Sequence, residues 1–291
     1  SSTQSVSATF IASETRDRTS DVRGNSLQAK YEYETRRWSF GTQAEHVDED
    51  FQMDTAFYNR TGFTGAWAYG GVNLYPKSGQ NFWIQRVNPF VFAKFARDRV
   101  QGGDDVFVNS GLRLAITRQG FVNLFYGFGR EPWREQMFDA GHIGAYAQQQ
   151  VLRWLYLYGE INTGPAVFYD FDNPFQGDER FISGGFTLQP NQNLSQSIDY
   201  RNVRFQRDST GEEIFDVDIV NSRTTYQFNH NFLVRFLAQY DSSVRRVLTD
   251  ALASYELVAG TVFHAGYGSL YERRVGEGNA FVPIDQGREY L

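Results

Sequence analysis

Residues 213–272 read EIFDVDIVNSRTTYQFNHNFLVRFLAQYDSSVRRVLTDALASYELVAGTVFHAGYGSLYE. Val220, Ser222, Thr224, Tyr226 and Phe228 interleave with Asn221, Arg223, Thr225, Gln227 and Asn229. After His230-Asn231 a second run sets Phe232, Val234, Phe236, Ala238 and Tyr240 against Leu233, Arg235, Leu237, Gln239 and Asp241. Two further runs follow, Ala251 to Leu257 and Phe263 to Tyr267. The period is two, so these are β-strands with one apolar and one polar, partly charged face. Breaks of two or three residues make them antiparallel hairpins. The first run, counted from Glu213, spans roughly 50 Å, far beyond the usual ~17–20 Å. Tilted strands of that length cross a bilayer and stand clear of it.

The same rhythm runs through all 291 residues. Val6, Ala8, Phe10 and Ala12 alternate with polar residues, as do Leu27 to Tyr33, Trp38 to Ala44, Phe63 to Gly71, Val106 to Ile116 and Val122 to Phe128. Trp154 to Ile161 is apolar on both sides in places and its faces are left unassigned. Loops are expected at residues 13–24, 48–59, 100–105, 131–139, 165–180 and 208–212, with tight turns at Arg36-Arg37, 77–80, Gln119-Gly120 and 190–193. Long and short connections alternate, as outer-membrane barrels require and soluble sandwiches do not.

Composition agrees. Aromatics make up 16% of the chain, with 26 Phe and 17 Tyr, and tyrosines fall near strand ends as interfacial girdles do. The mean hydropathy of −0.49 rules out a helical membrane protein but not a barrel, in which only alternate residues are apolar. There is no cysteine, which removes thiolate metal sites and disulfides. A net charge of −6 gives no nucleic-acid footprint.

The expectation is an all-β chain: one antiparallel transmembrane β-barrel of about 15 strands over residues 1–291, in a bacterial outer membrane. Such barrels close with an even strand number, so a closing strand is expected beyond Leu291, and strands could precede Ser1. Pairing of the last strand with the first would overturn this, because both run the same way.

The C-terminal run, with Thr224-Thr225-Tyr226-Gln227-Phe228, the Arg235 strand ending Gln239-Tyr240-Asp241, Ala259-Gly260-Thr261-Val262-Phe263 and Gly266-Tyr267-Gly268, resembles a bacterial family of outer-membrane barrels. Phe51, Gly62-Phe63 and Leu74-Tyr75-Pro76 resemble the same family's middle region. In that family a carbohydrate-binding-type β-sandwich precedes a barrel domain of unknown function. The resemblance implies the fold. The sandwich is absent from this sequence, so its sugar binding does not carry over, and the family offers no catalytic residues to map.

Lumen-lining candidates are the charges on polar faces: Lys30, Glu32, Glu34, Glu45, Arg113, Asp199, Arg201, Arg223, Arg235, Asp250 and Glu256. They either polarise a constriction or pair across the lumen and rigidify it. Phe168, Tyr169, Phe171 and Phe175 are loop-binding candidates that stack on sugars, plug the lumen, pack their own loop or dock a partner. No cofactor or metal is expected. Acidic runs at Asp48, Glu49, Asp50 and Asp54, and at Asp170, Asp172, Asp178 and Glu179, lack calcium-loop spacing and read as solvated loops. Asp104-Asp105, in a Gly-Gly loop, reads as a turn rather than a catalytic pair. His264 with Ser269, or His46, gives a weak hydrolase reading.

Passage or binding of a polar solute, a saccharide or other small molecule, is therefore expected, with the lipid bilayer and envelope proteins as partners. A docking subunit with a filled lumen is the alternative, and an outer-membrane hydrolase the third.

Overall fold

A computed structural model describes residues 2–16, 21–53, 60–77, 83–273 and 281–283. The 77–80 turn, Asp54 and the closing residues 289–291 thus lie wholly or partly outside the described residues. The sixteen strands among the described residues form one antiparallel sheet in strict sequence order. They are β1 (Ser2–Arg16), β2 (Asp21–Thr35), β3 (Trp38–Val47), β4 (Phe63–Val72), β5 (Ile84–Asp98), β6 (Gly103–Ile116), β7 (Gly120–Trp133) and β8 (Gln136–Leu152). β9 (Leu155–Phe168), β10 (Phe175–Leu188), β11 (Leu194–Arg207), β12 (Glu213–Gln227), β13 (Phe232–Asp241), β14 (Arg246–Val258), β15 (Thr261–Arg273) and the three-residue β16 (Phe281–Pro283) complete it. This is the up-and-down meander of an outer-membrane-type barrel wall. The four runs of residues 213–272 are β12 to β15.

Register fixes the two faces. Val108, Leu112 and Leu114 pair with Phe128, Leu124 and Val122, so apolar rows adjoin apolar rows. Glu32 pairs with Gly41, Gly41 with Tyr69 and Tyr69 with Phe92, which carries the polar face across β2 to β5. β9 is now assigned: Tyr156, Tyr158 and Glu160 adjoin Thr187, Gly185 and Ser183 on the polar side, and Leu157 and Ile161 face the other way.

The sheet curls around its polar face. Contacts that skip a strand occur there: Arg113 of β6 with Tyr69 of β4, Phe107 of β6 with His142 of β8, and Tyr158 of β9 with Asp199 of β11. The apolar face is convex and bare. Phe10 is 66% exposed, Ile143 59% and Phe236 45%. Above this apolar band, toward the β5–β6 and β7–β8 turns, the same face turns charged. Arg97–Asp104, Arg130–Asp139 and Arg204–Glu213 form ion pairs at 2.9, 3.2 and 2.8 Å.

Several expected loops are strand. β1 and β2 continue through most of residues 13–24, and Glu14 accepts from Arg16 and Arg23 at 2.9 and 3.0 Å. Residues 131–139 hold only a two-residue turn, Arg134-Glu135, with φ of 49° and 62°. Residues 165–180 contain just six between β9 and β10. Polar composition marks where strands leave an apolar slab, not where they stop pairing, so connection lengths are sorted far less than expected.

β1 has no partner on its free side, and β15 is paired there only at Tyr271–Arg273, with β16, among the described residues. β1 and β15 do not pair.

Phe205, 2% exposed, lies in the hollow left by Gly177, where a Cβ would overlap its ring. Gly177→Ala is therefore expected to cost about 1–3 kcal/mol through overpacking. Gly70→Ala, with nothing within 4 Å of the new methyl, should be neutral. Thermal loss of β-signal in detergent, read by circular dichroism, checks the pair.

Candidate functional site

The concave face carries the chemistry. Alternation places Lys30, Glu32, Glu34, Glu45, Arg113, Asp199, Arg201, Arg223, Arg235, Asp250 and Glu256 on it. Their ion pairs are local. Lys30 reaches Glu32 at 2.7 Å on the same strand, and Arg235 reaches Asp250 at 3.8 Å on the next. Glu45 accepts from Gln43 Nε2 at 3.3 Å, and Asp199 accepts from the Tyr158 hydroxyl. Arg201 lies over Phe181, with 5.7 Å to the ring centre. Arg113 donates to Tyr69 Oη at 3.1 Å and stacks on Phe90 at 3.9 Å. Glu256 accepts from Gly260 N at 3.4 Å, so it closes the β14–β15 turn. No ion pair crosses the interior among the described residues. Glu32, Glu34 and Glu45 stand on β2 and β3, while the arginines of β5–β6 and β11–β13 share their sectors with carboxylates such as Asp98, Asp105 and Asp199. Glu32, Glu34, Arg201 and Arg223 are exposed, so the concave face is not packed solid.

A cavity of about 540 Å³ opens on this face at the short-turn end, walled by Glu32 and Glu34 of β2, Trp67 and Tyr69 of β4, Arg86 and Asn88 of β5 and Arg113 of β6. Sequence reading missed Arg86 because the β4–β5 connection blurs its register, and missed Trp67 and Tyr69 because aromatics in strands read as lipid-facing.

The opposite end is closed in part by a buried ion cluster. Asp98, 1% exposed, accepts from Arg60 Nε at 2.7 Å and from the Gln101 backbone N–H at 2.6 Å. Asp105 accepts from Arg60 Nη1 at 2.6 Å and Lys94 Nζ at 2.9 Å. Opposed carboxylates hold Arg60's pKa above its ordinary value against the cost of burial. Asp104 and Asp105 point to opposite faces, which excludes a catalytic pair.

The four loop aromatics divide. Phe168 stacks on Phe175 at 4.8 Å, and both pack on Phe205. Tyr169 and Phe171 stay exposed beside Trp133, at 5.2 and 6.1 Å, and Arg134 covers Phe171. Although the ring is exposed, desolvation around its hydroxyl and the bond to Glu131 raise the pKa of Tyr169. Backbone N–H groups of Asn173 and Asp172 hold Asp170 below the usual carboxylate range.

Among the described residues no group of three or more His, Asp or Glu side chains is arranged to hold a metal ion. Ser269 and His264 lie on opposite faces, and His264 Nδ1 meets Ser254 Oγ at 2.8 Å instead. His46 Nδ1 lies 2.6 Å from Thr64 Oγ1, and its Nε2 lies 3.0 Å from Asp48 Oδ1. The backbone N–H of Asn25, then His46, lowers the pKa of Asp48, so these bonds are lost only as pH falls through the lowered value.

No protein-family model matches the chain, and no curated protein matches it in sequence. Among solved structures it is similar to OmpT, an outer membrane protein of Vibrio cholerae, at 12% identity over 93% of this chain and 99% of that one, with a TM-score of 0.35. It is also similar to the toluene transporter TodX of Pseudomonas putida, at 11% identity, 93% and 83% coverage and a TM-score of 0.27. The CymD monoaromatic hydrocarbon channel matches at 10% identity, 93% and 83% coverage and a TM-score of 0.25.

Arg60→Met removes the cation shared by two buried carboxylates. It is expected to destabilise the rim by about 3 kcal/mol, with Asp98 left largely unpaired. Hydrogen exchange at Gln101 and its neighbours should quicken before global unfolding shifts.

Proposed function

We propose that this chain forms the wall of a bacterial outer-membrane β-barrel whose concave polar face passes or binds a small polar solute. The observation that carries the reading is the segregation of the two faces. The convex side is an apolar band with charge only at its top, and suits hydrocarbon. The concave side is charged and incompletely filled, and suits water. Saccharides fit such an interior, and Trp133, Tyr169 and Phe171 at the rim offer them stacking surface. The alternative of a docking subunit needs a filled interior, and the exposed Arg201 and Arg223 speak against it.

The full-length protein in a planar bilayer is expected to give discrete conductance steps. Arg201→Glu with Arg223→Glu should shift their selectivity toward cations. A bilayer that stays silent at several protein doses defeats the passage reading.

The Thr64–His46–Asp48 chain favours a second reading, hydrolysis at the rim, with Thr64 Oγ1 as nucleophile and His46 as base. A fluorophosphonate probe would then label the protein, and Thr64→Val would abolish labelling. Absence of label retires the hydrolase.

A further inference from the structure

The cavity at the short-turn end has opposite charges on opposite walls that do not meet. Glu34 and Arg86 make no ion pair among the described residues, and Arg113 has a tyrosine and a phenylalanine as neighbours but no carboxylate. Glu32 is met by Lys30 at one oxygen, at 2.7 Å, and by the Ser5 hydroxyl at the other, at 3.3 Å, which leaves Glu34 as the open carboxylate of this wall. The reason is spacing. β3 and β4 lie between the acidic strand β2 and the basic strand β5, so the walls stand three strand spacings apart, about 14 Å along the sheet. Glu34 is exposed and Arg86 only part-exposed, and neither has an ion-pair partner among the described residues, so both charges remain available to a ligand.

The floor between them is shaped for a thin chain. Gly41 supplies no side chain, and the Trp67 ring closes to 3.6 Å of where its Cβ would stand. Beside it, Ser39 Oγ, Tyr69 Oη and Asn88 Nδ2 converge on the space that a side chain at Gly71 would fill, at 3.1, 3.0 and 3.1 Å. Asn88 is 5% exposed and fixed by bonds to Val72 O and Asn73 Oδ1 at 3.1 Å each.

We infer that this slot binds short zwitterionic peptides, with the ammonium end toward Glu32 and Glu34 and the carboxylate end toward Arg86 and Arg113. An extended tripeptide spans about 10 Å, which lets the side chains of both walls reach its ends. Its backbone amides meet Ser39 Oγ and Tyr69 Oη beside Gly71, which Asn88 backs from below, and its α-carbons lie on Trp67. A neutral sugar would leave both walls unpaired. The inference rests on the solute-passage reading only in that the peptide arrives through the polar interior.

Triglycine is the probe. Calorimetry on the full-length protein in detergent should show binding. Triglycine acetylated at its amine and amidated at its carboxylate should bind at least about tenfold more weakly, and Glu34→Gln and Arg86→Gln should each weaken free triglycine about tenfold. Gly71→Ala, which fills the central space, should weaken it while both charged walls remain. Equal binding of the capped peptide, binding of sucrose in its place, or indifference to all three substitutions overturns the inference. Triglycine binding in a protein that passes no current removes passage and keeps the slot. Current without binding removes the slot and keeps passage.

Discussion

Backbone hydrogen bonding is the constraint that the rest of the structure obeys. A chain without an apolar core cannot rely on burial to stay folded, and a bilayer offers no water to satisfy stray N–H and C=O groups. Each strand must therefore find its partners in its neighbours. Strict sequence order achieves this with the shortest connections. With the backbone satisfied everywhere but along the free sides of β1 and most of β15 among the described residues, side chains sort by solvent, apolar outward and polar inward. The few buried residues, such as Asp98 and Phe205, sit where the rim or the concave face crowds.

Period and face were legible in the sequence because a one-residue slip would expose every apolar row to the wrong solvent. Strand ends were not. Glu14, Arg23, Arg130 and Asp139 look like loop residues, yet they pair as strand outside the apolar band, where water on the convex side welcomes charge. The concave rows follow from the same alternation, and the register carries it as far as Glu256, whose side chain also reaches the β14–β15 turn. Trp67, Tyr69 and Arg86 were not, since composition cannot tell a lumen aromatic from a lipid-facing one. Tyr169 and Phe171 differ from Phe168 and Phe175 only by position relative to the end of β9, which no local pattern reveals.

Both signs of charge occur in most sectors of the concave face, and neighbours such as Lys30–Glu32 and Arg235–Asp250 pair locally. The separation is clearest at the short-turn cavity, where Glu34 stands across from Arg86 and Arg113. Arginines that stack on rings, as Arg113 does on Phe90, keep their charge available while shielding their carbon stems. Around the short-turn cavity the field thus runs across the sheet, from Arg86 and Arg113 toward Glu32 and Glu34.

Arg60 also dictates a sequence of events. It precedes β4, yet its two carboxylates lie 38 and 45 residues further along, at the end of β5 and the start of β6. The connection after β3 cannot lock until the β5–β6 hairpin stands in register beside it. That corner of the rim is therefore a latecomer to assembly, and its clasp records that three successive hairpin steps have come out right.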